Sequence, residues 1–116
     1  MSQHHNINYL EIPTQDLAAS KAFFKRVFDW QFQDYGPEYS CFLNVGINGG
    51  FYLSEQGFSV KQGCPLIVLY SQALAQTQAK VLAAGGTLIK DIFTFPGGRR
   101  FHFSDPSGNE YAVWSE

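Results

Sequence analysis

At 116 residues the chain has room for one domain, or for two very small units sharing a core, and with 45% apolar and 16% charged residues it is too hydrophobic to be disordered. Eight basic against ten acidic side chains leave a net charge of −2, and the longest basic cluster is Arg99-Arg100, which argues against a nucleic-acid binder that tracks phosphates. No run approaches the roughly 20 apolar residues of a membrane span, and the polar start from Met1 to Asn6 lacks the apolar stretch of a secretion signal, so a cytoplasmic location, with neither nucleic acid nor membrane as partner, is the expectation.

Eleven Phe, six Tyr and two Trp can fill a core, line a cavity and still leave rings for a subunit interface. Cys41 and Cys64 stand in separate apolar segments without a Cys-x-x-Cys pattern and read as small buried hydrophobes. Residues Ile7 to Ile12 alternate as a strand, which Pro13 is expected to end. Asp16 is placed to cap a helix over Leu17–Phe28, where Phe24, Val27 and Phe28 form a buried stripe and Lys21 and Lys25 face water. Three strands are expected next, over Trp30–Tyr35, Tyr39–Val45 and Gly50–Ser54, with turns at Gly36-Pro37 and Asn48-Gly49-Gly50.

After a polar connection over Gln56–Gly63 the same order returns. Pro65 to Tyr70 is a dense apolar strand, and Ser71 is placed to cap a helix running to Ala84, with Leu74, Val81 and Leu82 inward and Gly85-Gly86 as its stop. Strands over Thr87–Phe93, Arg99–Ser104 and Glu110–Trp114 follow, separated by Pro96-Gly97-Gly98 and by Asp105 to Asn109. The predicted architecture is therefore α+β: two βαβββ modules, 1–55 and 64–116, in a single domain spanning 1–116. One helix cannot cover both faces of a small sheet, so the other face must curl into a groove or meet another chain.

The chain resembles the vicinal oxygen chelate superfamily, the glyoxalase, bleomycin-resistance and extradiol-dioxygenase group. The matching residues are Glu11 to Leu17, Phe23 to Trp30, Ala83-Ala84-Gly85-Gly86 and Phe103 to Glu110, so the likeness covers nearly the whole chain. The resemblance implies a pair of βαβββ modules, a homodimer, and cavities bounded by the open faces of the sheets. In catalytic members it also implies a divalent metal held by His, Gln or Glu from equivalent strands. Counting from the shared landmarks puts those ligand positions at Ile7, Leu66 and Ala112, with a fourth near Gly50-Phe51. None of these side chains can donate an electron pair to a metal. The expectation is that the usual metal site is absent and no cofactor is needed, with a divalent metal as the alternative.

Strand alternation indicates what the groove would offer instead. Tyr9 and Glu11 on the first strand, Arg100 and His102 on the seventh, and Glu110 and Trp114 on the eighth share the face opposite the helices, while Phe101, Phe103, Tyr111 and Val113 turn toward them. This lining suits an organic ligand with a planar part and one or two polar groups. Two other uses of the same residues stay open: Glu11 or Glu110 pairing with Arg100 across strands, and an unorthodox metal site from His102, Glu11 and Glu110. His4 and His5 read as a solvated tail, and Gly97 to Arg100 as a hairpin turn with a basic end. Three functions follow from this reading: a metal-free module binding a small organic molecule, a metal-dependent lyase, isomerase or dioxygenase of the glyoxalase type, or an interaction protein whose sheets serve to dimerise.

Overall fold

A computed structural model describes residues 2–116. The chain divides into two compact units, 1–56 and 57–116. Each contains one helix and a four-stranded sheet with the same strand order, so the α+β class and the repeated βαβββ order are both present.

In the first unit β1 (Tyr9–Thr14) leads to α1 (Leu17–Phe28), then β2 (Gln31–Asp34), β3 (Tyr39–Leu43) and β4 (Asn48–Leu53). The sheet order is β1-β4-β3-β2, with β1 parallel to β4 and the other pairs antiparallel. The expected cap forms: the Asp16 carboxylate accepts from the Ala19 N–H at 3.0 Å. Asp29 ends the helix in the left-handed conformation, φ 59°, with its N–H bonded to the Lys25 carbonyl. Phe23, Phe24 and Val27 are buried, and Phe24 stacks on Trp30 at 4.7 Å and meets Phe51 at 5.4 Å. Lys21, expected to face water alone, bonds Asp34 of β2 at 2.9 Å.

Pro13 does not end β1. It continues the strand opposite Tyr52, because β1 is an edge strand and a proline there can turn its missing N–H away from the ladder. The expected turn at Asn48-Gly49-Gly50 also moves. Asn44 and Gly46 take positive φ and make the turn, and the two glycines lie inside β4. Each glycine admits a ring from β3 flat against the strand. A Cβ at Gly49 would strike the Leu10 carbonyl and come within 2.7 Å of the Phe42 ring, and one at Gly50 would come within 2.7 Å of the Tyr39 ring on the other face. Gly49→Ala is accordingly expected to lower the urea midpoint by an amount worth about 1–3 kcal/mol or more. An unchanged midpoint would show that the strand can give way there.

In the second unit β5 (Ile67–Tyr70), α2 (Leu74–Ala83), β6 (Thr87–Phe95), β7 (Gly98–Ser104) and β8 (Glu110–Ser115) repeat the plan, with sheet order β5-β8-β7-β6. The core is Leu74 and Val81 of α2 with Phe101, Phe103, Tyr111 and Val113 of the sheet. Leu82, expected inward, is exposed, since it falls beside the stripe that Leu74 and Val81 define. Ser71 does not cap α2 directly. Ala73 occupies the cap position, and the Ser71 hydroxyl accepts from the Ala73 N–H and bonds Thr77 at 2.7 Å, closing a turn just before the helix. The segment read as a polar connection packs with this unit: Phe58 N–H donates to the Asn109 side chain, Val60 N–H donates to Glu110, and Val60–Gln62 form a short 3-10 turn. Among the described residues no helix is long and apolar enough to cross a membrane.

Candidate functional site

On β7 alternation does what the sequence required. Phe101 and Phe103 are fully buried beneath α2, and Arg100 and His102 share the opposite face. Register then sets their neighbours: Arg100 stands between Trp114 of β8 and Phe93 of β6, and His102 between Ala112 and Lys90. Val68 and Tyr70 extend the same face on β5, opposite Ala112 and Trp114.

Arg100 and Trp114 line a hollow of about 320 Å³ together with Val68, Phe95 and Gly97. The guanidinium carbon lies 5.3 Å from the centre of the Phe93 ring and 5.2 Å from that of Phe95, so ring faces position the cation. Neither ion pair among the described residues includes Arg100, so the alternative of its pairing with Glu110 is not realised. Its Nε is buried without a hydrogen-bond partner. Trp114 packs edge-on against Tyr70 at 5.0 Å and against Phe95 at 6.4 Å. The result is a hydrophobic recess with one cationic fork at its edge.

His102 and Glu110 differ from the expectation of an open lining. They are 1% and 4% exposed and bond each other, His102 Nδ1 to Glu110 Oε2 at 2.8 Å. The other carboxylate oxygen accepts from the Val60 N–H at 2.9 Å. Burial alone would raise the Glu110 pKa, but the hydrogen bonds from His102 and from the Val60 N–H outweigh it and hold the carboxyl below its ordinary value. An ionised carboxylate only accepts, so His102 Nδ1 donates this bond, while the ring's Nε2 is buried and has no partner.

In the first unit Tyr9 and Glu11 are joined through Tyr39, which the sequence reading did not single out. The Tyr39 hydroxyl donates to Glu11 Oε2 at 3.0 Å and lies 2.6 Å from the Tyr9 hydroxyl. Since Tyr39 spends its proton on the carboxylate, its oxygen is left to accept from Tyr9. Cys41, expected to be buried, is only half-buried, its Sγ 3.5 Å from the Tyr9 hydroxyl. Burial and its hydrogen bonds push the Tyr39 pKa far up, and contact with Cys41 leads the causes that raise that of Tyr9, so both phenols stay neutral. The hollows of this unit lie elsewhere: one of about 380 Å³ beside Asn6, Ile7, Asn44 and Asn48, another of about 600 Å³ beside Gln15 and Leu53–Glu55. His4 and His5 sit in an exposed turn with their rings stacked at 3.8 Å, not on a strand.

The positions counted as metal ligands fall as follows. Ile7 precedes β1 and is 85% exposed, Leu66 directly precedes β5, Ala112 faces His102 across β7 and β8, and Gly50 stands opposite Glu11. Among the described residues no group of three or more His, Cys, Asp or Glu side chains is gathered as a metal would require. The side chains at Ile7, Leu66, Ala112 and Gly50 have no electron pair to give a divalent cation.

Tyr39, Phe93 and Phe95 are the groups that the sequence reading passed over. Tyr39 could have been found by pairing strand alternation with the glycine on the neighbouring strand, but Phe95 depends on β6 running two residues past its expected end at Phe93. Two breaks in register between Leu88 and Phe93 also reset which residues face Arg100.

Among solved structures, the fold matches a glyoxalase-related enzyme from Fulvimarina pelagi with a TM-score of 0.81 at 20% identity, covering 97% of this chain and 88% of that one. It matches a glyoxalase/bleomycin resistance protein/dioxygenase family enzyme from Burkholderia phytofirmans PsJN with a TM-score of 0.80 at 21% identity, over 93% and 96% of the two chains. The fosfomycin resistance protein FosX of Listeria monocytogenes gives 0.80 at 15% identity, over 98% and 95%. At these identities the likeness is one of fold. No curated protein matches the sequence. The sequence pattern of the Glyoxalase/Bleomycin resistance protein/Dioxygenase superfamily, however, matches residues 6–113, and with the duplicated βαβββ order this places the chain in that superfamily.

Proposed function

We propose that the chain binds a small organic acid with a planar apolar body on the open face of its second sheet, without a divalent metal, and that it works as a homodimer in the cytoplasm. The observation that carries this reading is the recess beside Arg100. A volume of about 320 Å³ lies at the lower end of ordinary small-ligand sites, roughly 300–1,000 Å³. Its apolar walls, Val68, Phe95 and Trp114, suit a flat hydrocarbon, and the guanidinium offers a planar pair of donors to a carboxylate. Ring faces hold that guanidinium in place, so less ordering is left for a ligand to impose.

Metal-dependent lyase, isomerase or dioxygenase chemistry would need electron-pair donors where Ile7, Leu66, Ala112 and Gly50 stand, and these side chains have none to give.

In a thermal-shift titration with benzoate, naphthoate and benzyl alcohol, the acids are expected to raise Tm and the alcohol to have little effect. A probe at one hundred times its Kd adds about 2.7 kcal/mol. Arg100→Ala should abolish the preference for the acids, and Trp114→Ala should weaken all probes. The reading fails if no acid shifts Tm, or if Arg100→Ala binds the acids as well as the parent does.

A further inference from the structure

The face of the first sheet turned away from α1 carries a different chemistry. Its alternate positions are Tyr9, Glu11 and Pro13 on β1, Asn48, Gly50 and Tyr52 on β4, Tyr39, Cys41 and Leu43 on β3, and Gln31 and Gln33 on β2. No lysine, arginine or histidine is among them. Glu11 is exposed, and neither ion pair among the described residues involves it.

Three tyrosines share this face with the one carboxylate, Tyr39 in contact with it and Tyr9 and Tyr52 beside Tyr39. Tyr52 stands opposite both Tyr39 and Pro13, and Tyr39 reaches over Gly50 to bond Glu11. The missing side chain at Gly50 is what lets the ring lie there, since a Cβ would come within 2.7 Å of it. Tyr39 fixes one carboxylate oxygen, Tyr9 fixes Tyr39, and both phenols are held neutral, so the face has a fixed single negative charge among uncharged rings. Tyr9 is 45% exposed and Tyr52 36%, so the rings are within reach of solutes.

We propose that this face binds a small organic ammonium ion, its charge against Glu11 and its alkyl shell against the Tyr9, Tyr39 and Tyr52 rings. The ring faces carry negative quadrupole potential and attract a weakly hydrated cation, and the carboxylate supplies the full charge that the rings lack. A metal ion does not fit, because one fixed carboxylate among phenols gives too few donors. An anion is repelled by Glu11. Its chemistry is the opposite of that of the recess beside Arg100.

The test is an NMR titration of the full chain with choline chloride and, separately, with 3,3-dimethylbutan-1-ol, which has the same shape without the charge. Choline is expected to shift the ring resonances of Tyr9, Tyr39 and Tyr52 along a saturable curve, with the neutral alcohol weaker by about tenfold or more. Glu11→Gln should cost about tenfold in choline affinity. Tyr39→Phe keeps the ring but frees the carboxylate, and should cost less, which gives a second reading should the first variant fold poorly. The proposal is overturned if the alcohol binds as well as choline, if choline moves no tyrosine resonance, or if Glu11→Gln leaves the choline response intact and alters only the oligomeric state.

Discussion

Replacing Glu110 by alanine is expected to cost about 3–5 kcal/mol of folding stability, enough to lower Tm by more than about 10 °C. The loss does not measure the strength of an ion pair. It comes chiefly from leaving the His102 ring buried with nothing to accept its proton, and also from freeing the Val60 N–H, when both now bond the Glu110 carboxylate within 2.9 Å. Glu110→Gln keeps a carbonyl oxygen for Val60 and should cost distinctly less. The pH dependence has a fixed sign. The folded carboxyl titrates below its ordinary 4.5, so its contribution is complete above 4.5 and is lost as pH falls through the folded value. Urea unfolding at neutral pH and below pH 4.5 reads both effects: the stability difference between the parent and Glu110→Ala should be largest at neutral pH and shrink in acid. Equal midpoints for parent and Glu110→Ala at neutral pH would mean that the pair contributes nothing.

Asp105→Asn should act in the opposite direction, stabilising the protein at neutral pH by up to about 3 kcal/mol. Burial pushes the Asp105 carboxyl up to about 6 from an ordinary 3.8, against the pull of the Asn109 and Ser107 backbone N–H groups that bond its Oδ1. Because the folded pKa lies above the unfolded one, the favourable contribution is complete below 3.8 and disappears as pH rises through about 6. Asparagine keeps an Oδ1 acceptor for the same two N–H groups and carries no charge to bury. The parent should therefore lose stability between about pH 4 and pH 7 while the variant stays flat through that window. Should the variant prove less stable than the parent at neutral pH, the hydrogen bond from the Tyr111 hydroxyl to the ionised carboxylate outweighs the cost of burying its charge.

Much of this molecule is legible without coordinates because its local signals agree. Asp16 caps α1, Leu17 and Phe28 bound it, and the alternation on β7 and β8 separates Phe101, Phe103, Tyr111 and Val113 from Arg100 and Trp114. The errors have a common cause. Pro13, Gly49 and Gly50 carry strong local signals for breaking a strand, and tertiary packing overrides them, since the edge of the sheet tolerates a proline and two rings require glycine beneath them. Glu110 and His102 were rightly assigned to one face, yet alternation says which way a side chain points and not what lies over it. The segment before β5, which supplies the Val60 N–H, looked like polar connection and gave no hint that it would meet Glu110. Arg100 was identified, but the rings beneath it depend on the irregular register of β6, which no alternating pattern encodes.

The adjacent glycines of β4 tie evolutionary drift on the two faces of the first sheet together. A methyl gained at position 49 would need both a shift of the Leu10 carbonyl and a smaller group at Phe42, inside the core, and one gained at position 50 both a shift of the Ser40 carbonyl and a smaller group at Tyr39, where Glu11 would lose its anchor. Substitutions here should therefore enter lineages as size-exchanging pairs, and a relative that has given up the glycine at position 50 should also have abandoned the aromatic ring at position 39.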